Sequence, residues 1–308
     1  MNEPGSHSHV GSDGFIAVAV LWILAAMAAL ASIYTIYVVD TAAAVSFHDD
    51  RVRIEALTSA ALELTAYRLA TSLPSGPTAG HFSVRLGQAT VTTDFRSEAA
   101  RIDLNAAPKQ LLAGLFVALG IAPDLAANYA DRISIWRGSE PNAQEQEVFA
   151  YRAAGLGYVP RQGRFPNINE LSLVRDVPAG LVQRALPFLT VFSGRPQINI
   201  LEAAPEVIAA LPGMTPDRLN GVLIQRKAAP DNGTALMQLL GPGQAYATTQ
   251  GSRASRVTVH VAFDNEHRAG AEAVILMFEQ GAEPYSVLSW RDDIDEPRPF
   301  DQLRASSQ

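Results

Sequence analysis

The chain contains no cysteine. That removes disulfide scaffolds, thiolate metal sites and cysteine nucleophiles together, and leaves the redox compartment open. Catalytic signatures are missing as well: no G-x-S-x-G, no H-E-x-x-H and no P-loop occurs. Of the six histidines, His7 and His9 fall in the first residues and the others are isolated, so none has metal-ligand spacing. Positive charge is scarce, with a formal net charge of -7. A general nucleic-acid binder needs a basic face to meet phosphates, so that class is disfavoured. Enzymatic function is the least supported class, and a non-catalytic assembly module is the expectation.

Apolar residues are plentiful, at 48 % of 308 residues. This is enough for a real core and for one to three domains at roughly 100–200 residues each. Residues 1–14 are short, polar and rich in Gly, Ser and His, with Glu3 and Asp13 but no Lys or Arg. The positive-inside rule therefore gives no orientation. Residues 15–39 hold no charge at all. A helix needs roughly 20 such residues to cross a bilayer. Trp22, Tyr34 and Tyr37 are compatible with that environment, and the two tyrosines suit an interface. The run exceeds a secretory h-region, and only Thr41–Ala44 resembles a cleavage site, so a retained membrane helix is expected over a cleaved signal. The helix should continue through residues 45–73, where Gly and Pro are absent, until Pro74, Gly76 and Pro77 stop it. Val45, Val52, Leu57, Ala61, Leu64 and Tyr67 are expected to form its buried face.

Residues 81–86 and 89–95 read as strands around Gly87-Gln88. Residues 256–263, 271–278 and 285–290 read as further strands, with turns at Asp264-Asn265 and Gly281. Between these groups the texture is helical and broken by Gly and Pro. The simplest architecture is α+β: one antiparallel sheet from the early and late strands, the long N-terminal helix packed on it, and a large all-α insertion. The insertion carries an internal repeat. IDLNAAP (102–108) and INILEAAP (198–205) each precede an apolar helix, and each leads to a Pro-led second helix, Ala122-Pro123-Asp124 and Thr215-Pro216-Asp217. Proline suits the first helical turn, and Asp or Thr nearby can cap. The shared AAP start favours duplication over two unrelated hairpins. Between the copies, Asn167 or Asn169 could cap a helix through Val174, and residues 186–192 read as extended.

In their order along the chain these features resemble the K-type minor pseudopilin of the type II secretion system (general secretion pathway protein K). Gly14-Phe15 resembles the prepilin-peptidase site; Phe15 would become the methylated N-terminus. Ala19 stands where most pseudopilins carry Glu, and an apolar residue there is the habit of the K-type. DLNAAP resembles the family's D/N-L-N-T-A-P run, and NELSLV (169–174) its S-V-x-E-L-x-x-V run. Two features depart from the pattern: the leader lacks Lys or Arg, and Glu202 replaces the motif asparagine in the second copy. The resemblance implies a leader (1–14), a transmembrane helix (15–39), a pilin-like α+β domain (40–97 and 248–291), an inserted helical domain with two hairpins (98–247) and a polar tail (292–308). It also implies a single-pass inner-membrane protein with its bulk in the periplasm, at the tip of a pseudopilus. Its partners would be the I-type and J-type minor pseudopilins and the prepilin peptidase. The helical domain of the family is associated with calcium. Glu140, Glu145 and Glu147 follow Trp136 in a Gly/Pro/Asn-bearing loop and are the candidate ligands, since loop carboxylates suit Ca²⁺. A solvated acidic loop is the competing reading. The rival function is a membrane-anchored helix-hairpin-helix DNA receptor, suggested by LPGMTPDRL (211–219). Thr215 replaces the second glycine of that turn, and Glu202, Glu206 and Asp217 crowd it.

Overall fold

The computed structural model describes residues 13–71, 77–229, 232–265, 267–280 and 283–292, and no side chains for 13–17 and 39–50. It divides into two units, residues 1–56 and 57–308. Gly281, the leader up to residue 12 and the tail beyond Asp292 lie outside the described residues.

Helix α1 spans Asp13–Thr71. Within the first unit, Val18–Val38 is long and apolar enough to cross a membrane, and none of its side chains is buried. Ser32 and Thr35 return their hydroxyls to the carbonyls of Ala28 and Ala31 at 2.9 and 2.8 Å. Their polar atoms are thereby satisfied inside the helix, as an apolar surrounding requires.

The second unit starts with the rest of α1. Its buried face there is Thr58, Ala61, Leu62, Thr65, Ala66 and Leu69, with Leu57 and Leu64 flanking it. This corrects the expected face. Ala61, Leu57 and Leu64 hold, but Val52 and Tyr67 are 54 % and 66 % exposed; Val45 lies outside the described side chains. The covering stripe follows i, i+3, i+4 from Thr58, and two threonines belong to it, which a search for large apolar residues passes over.

That stripe lies on a five-stranded antiparallel sheet of β1 (Ala79–Leu86), β2 (Ala89–Ser97), β7 (Ala254–Phe263), β8 (Arg268–Met277) and β9 (Tyr285–Asp292), in the order β1-β2-β7-β8-β9. The two early strands turn at Gly87, whose φ of 59° suits a residue without Cβ. Alternate residues face the helix: Phe82, Val91, Phe95, Val257, Val259, Val261, Ala273 and Ile275. Gly80 leaves room for the Phe95 ring, which would lie 2.4 Å from an added Cβ.

Between β2 and β7 runs the helical insertion: β3 (Ile102–Asp103), α2 (Lys109–Ala118), α3 (Pro123–Trp136), α4 (Gln144–Ala153), α5 (Ala179–Ala185), β4 (Leu189–Thr190), β5 (Ile198–Asn199), α6 (Pro205–Ala209), α7 (Pro216–Ala228), α8 (Gly233–Leu239) and β6 (Ala247–Thr248). It has its own core, drawn from residues between Ile102 and Ala247, separate from the core under α1. Asn167 is the cap, accepting from the Asn169 N–H at 2.8 Å. The segment it opens is a 3-10 turn over Ile168–Leu173, not an α-helix to Val174. Residues 186–192 are likewise not uniformly extended: Leu186–Phe188 is a 3-10 turn, with Pro187 in its first turn, and only Leu189–Thr190 pairs as a strand.

Candidate functional site

The insertion is two versions of one unit, and the repetition reaches individual hydrogen bonds. β3 pairs in parallel with β4, and β5 with β6. Leu104 N–H donates to Thr190 O at 2.9 Å, and Ile200 N–H to Thr248 O at 3.0 Å. Asp103 Oδ1 accepts from Asn105 N–H, as Asn199 Oδ1 accepts from Leu201 N–H. One arginine closes each copy. Arg137, at the end of α3, donates to the carbonyls of Leu104 and Ala107 at 2.8 and 2.9 Å. Arg226, in α7, donates to those of Ile200 and Ala203 at 3.1 and 2.7 Å. These pairs align Ile102 with Ile198 and put Leu201, not Glu202, opposite Asn105. The shared AAP strings are therefore one residue out of structural register, because α2 starts after Pro108 and α6 starts at Pro205.

The copies meet where α2 crosses α6. A Cβ on Gly114 would lie 2.0 Å from the Ala210 carbonyl oxygen, so only glycine permits this approach. The second hairpin turn, with Gly213 at φ 72°, is closed by its own chain. Thr215 caps α7, and the Arg218 guanidinium donates to Gly213 O at 3.0 Å. That cation is engaged with a carbonyl of the turn itself.

Where the insertion leaves the sheet, four charges are buried together. Glu98 is fully buried. It accepts from Arg101 at 2.8 Å, from Arg256 Nε of β7 at 2.8 Å and from the Thr190 hydroxyl of β4. Arg256 also donates to Glu272 of β8 at 2.7 Å, and Arg101 Nε to Pro187 O at 3.0 Å. Burial by itself pushes the Glu98 carboxyl up. The Arg256 and Arg101 guanidiniums outweigh it and hold the group at about 2. Burial, with Arg256 nearby, brings Arg101 down to about 10, still charged at neutral pH. Sequence reading missed this cluster. Its one available signal was a lone Glu272 inside an otherwise apolar strand.

The predicted site residues are not brought together. Gly14 and Phe15 fall in the first turn of α1, with side chains outside the described residues. The acidic segment is helical from Gln144, since Pro141–Ala143 forms a 3-10 turn leading directly into α4. Glu140 pairs with Lys109 at 2.8 Å, and Lys109 also reaches Asp131 at 2.9 Å. The Glu140 and Asp131 carboxylates hold the Lys109 ammonium above its ordinary range. Glu147 is buried and accepts from Arg175 at 3.2 and 3.3 Å. Glu145 is exposed on α4. Among the described residues no three acidic or histidine side chains converge as a metal cage. The arrangement of Glu140, Glu145 and Glu147 does not fit calcium, which takes six to eight oxygens.

Residues 93–194 match the family model for type II secretion system protein K. The matched segment contains the first of the two repeated units and stops before the second. No curated protein sequence matches the chain. The fold is similar to a chain in the crystal structure of the GspK–GspI–GspJ complex from the type 2 secretion system of enterotoxigenic Escherichia coli. The TM-score is 0.56 with 19 % identity, covering 82 % of this chain and 98 % of that one. A sheet packed on a long helix, interrupted by a helical insertion whose first unit matches the model for type II secretion system protein K, makes the chain similar to protein K in that segment's sequence and in fold.

Proposed function

We propose that the chain works as a structural subunit at the tip of a pseudopilus, helping to start its assembly and limit its length, and has no catalytic role. The observation that carries this reading is the uncharged, exposed stretch Val18–Val38 at the head of α1, followed in one continuous helix by the stripe that packs on the sheet. Such a stretch can leave lipid for a filament only where other apolar helices replace the lipid tails. In other subunits the carboxylate at the fifth mature position is thought to pair with the terminal amine of the neighbour above. A tip subunit has no neighbour above, and Ala19 stands at that position. The partners proposed are the I-type and J-type minor pseudopilins, the classes named with the structurally similar chain. The site proposed for prepilin peptidase lies between Gly14 and Phe15, in a chain held in the inner membrane with its bulk in the periplasm.

The N-terminal mass of protein recovered from membranes tests the reading. A start at Phe15, with or without a methyl group, is the expected result. An intact Met1 would leave a plain anchor, and a start near Val45 would mean a cleaved signal; either refutes the processing on which assembly into a pseudopilus depends.

A further inference from the structure

The acidic segment after Trp136 is where the protein K resemblance suggests calcium, yet each carboxylate near it except Glu145 already has a cationic partner from the chain. Lys109 is the telling residue. It is the first residue of α2, a helix with no acidic residue in its first turn. An ammonium there opposes the helix dipole, which favours negative charge at that end. The position becomes favourable only because Asp131 of α3 and Glu140, both later in the chain, converge on Nζ at 2.9 and 2.8 Å. Further along, Glu147 and Asp176 are balanced by two guanidiniums. Arg175 donates to both Glu147 oxygens at 3.2 and 3.3 Å and to Asp176 at 2.7 Å, and Arg132 reaches Asp176 and lies 4.0 Å from Glu147. Asp176 has a φ of 61°, an uncommon conformation for a residue with a Cβ, and its two arginines fix it there.

We propose that Lys109 and Arg132 are resident cations that fasten residues 138–178 to the helical core, while Arg175 ties Glu147 to Asp176 within the segment, making this segment independent of calcium. The two ends of the segment are then tied by charge to α2 and α3, the helices of the first repeated unit. This is the stretch by which the first unit exceeds the second.

Full-length protein in detergent is melted by circular dichroism in EDTA and again in millimolar calcium chloride. The expected shift in Tm is below about 1.5 °C, roughly what 1 kcal/mol produces in a chain of this size; any larger rise with calcium overturns the proposal. A charge cycle then tests Lys109 directly. Lys109→Gln should lower Tm, because Asp131 and Glu140 are left facing each other. Adding Glu140→Gln should recover most of that loss. A Lys109→Gln protein that melts like the wild type, or losses that simply add, would overturn the role given to Lys109.

Discussion

Glu98→Gln would keep the shape of the side chain and delete the negative charge that Arg101 and Arg256 share. Both guanidiniums are nearly as buried as the carboxylate, so the change strands positive charge in a dry junction. Two routes give the magnitude. Stranding a buried charge by removing its partner costs about 3–5 kcal/mol. Independently, a carboxyl moved from 4.5 to about 2 on folding contributes about 3 kcal/mol at neutral pH, at roughly 1.4 kcal/mol per unit. The folded value is depressed, so this contribution is complete above the unfolded pKa and is lost as pH falls toward the folded one. About half of it is gone near pH 3. The assay is urea unfolding of the full chain in detergent, followed by tryptophan fluorescence, to which Trp136, buried in the helical core, contributes. At pH 7 the variant should unfold with about 3 kcal/mol less stability than the wild type, and near pH 2 the two should converge. Because a wholly apolar replacement of such a network can be neutral, the loss measures the stranding of charge. A variant within 1 kcal/mol of wild type at pH 7 would refute the reasoning.

Two further expectations bear on the repeated units. Gly114→Ala should destabilise by about 1–3 kcal/mol through overpacking, since the new methyl would collide with the Ala210 backbone rather than with a flexible side chain; equilibrium unfolding measures it, and an unchanged midpoint would mean that α2 and α6 can separate freely. Arg226→Met should free the Ile200 and Ala203 carbonyls and cost about 1–3 kcal/mol for the unsatisfied groups. Arg137→Met should do the same to Leu104 and Ala107, so a large difference between the two variants would show that the copies are not energetically alike.

Much of the architecture could be read without coordinates because it rests on local pattern. An uncharged run longer than a bilayer is thick, five alternating strands and two proline-led hairpins each leave a periodic trace. The repeat was legible as a string but not in register: identical AAP letters suggested one alignment, and the carbonyls held by Arg137 and Arg226 fix another, one residue away. The buried face of α1 was half legible, since Thr58 and Thr65 carry part of it and a threonine does not advertise burial. The acidic segment misled in a different way. Three glutamates close in sequence suggested one site, yet the fold sends Glu140 to Lys109, Glu147 to Arg175 and Glu145 to solvent.

The sequence by itself determined the elements: the apolar stretch, the strands, the duplicated hairpin and the resemblance those features carry in their order. Only the tertiary structure decided which charges meet. Glu98, Thr190, Arg256 and Glu272 are separated by up to 174 positions and are joined because β2 pairs with β7, β7 with β8, and β4 lies beside β3. Periodicity is a property of neighbours along the chain. Pairing of buried charges is a property of neighbours across it, set by strand register, and a sequence read one window at a time carries no trace of that.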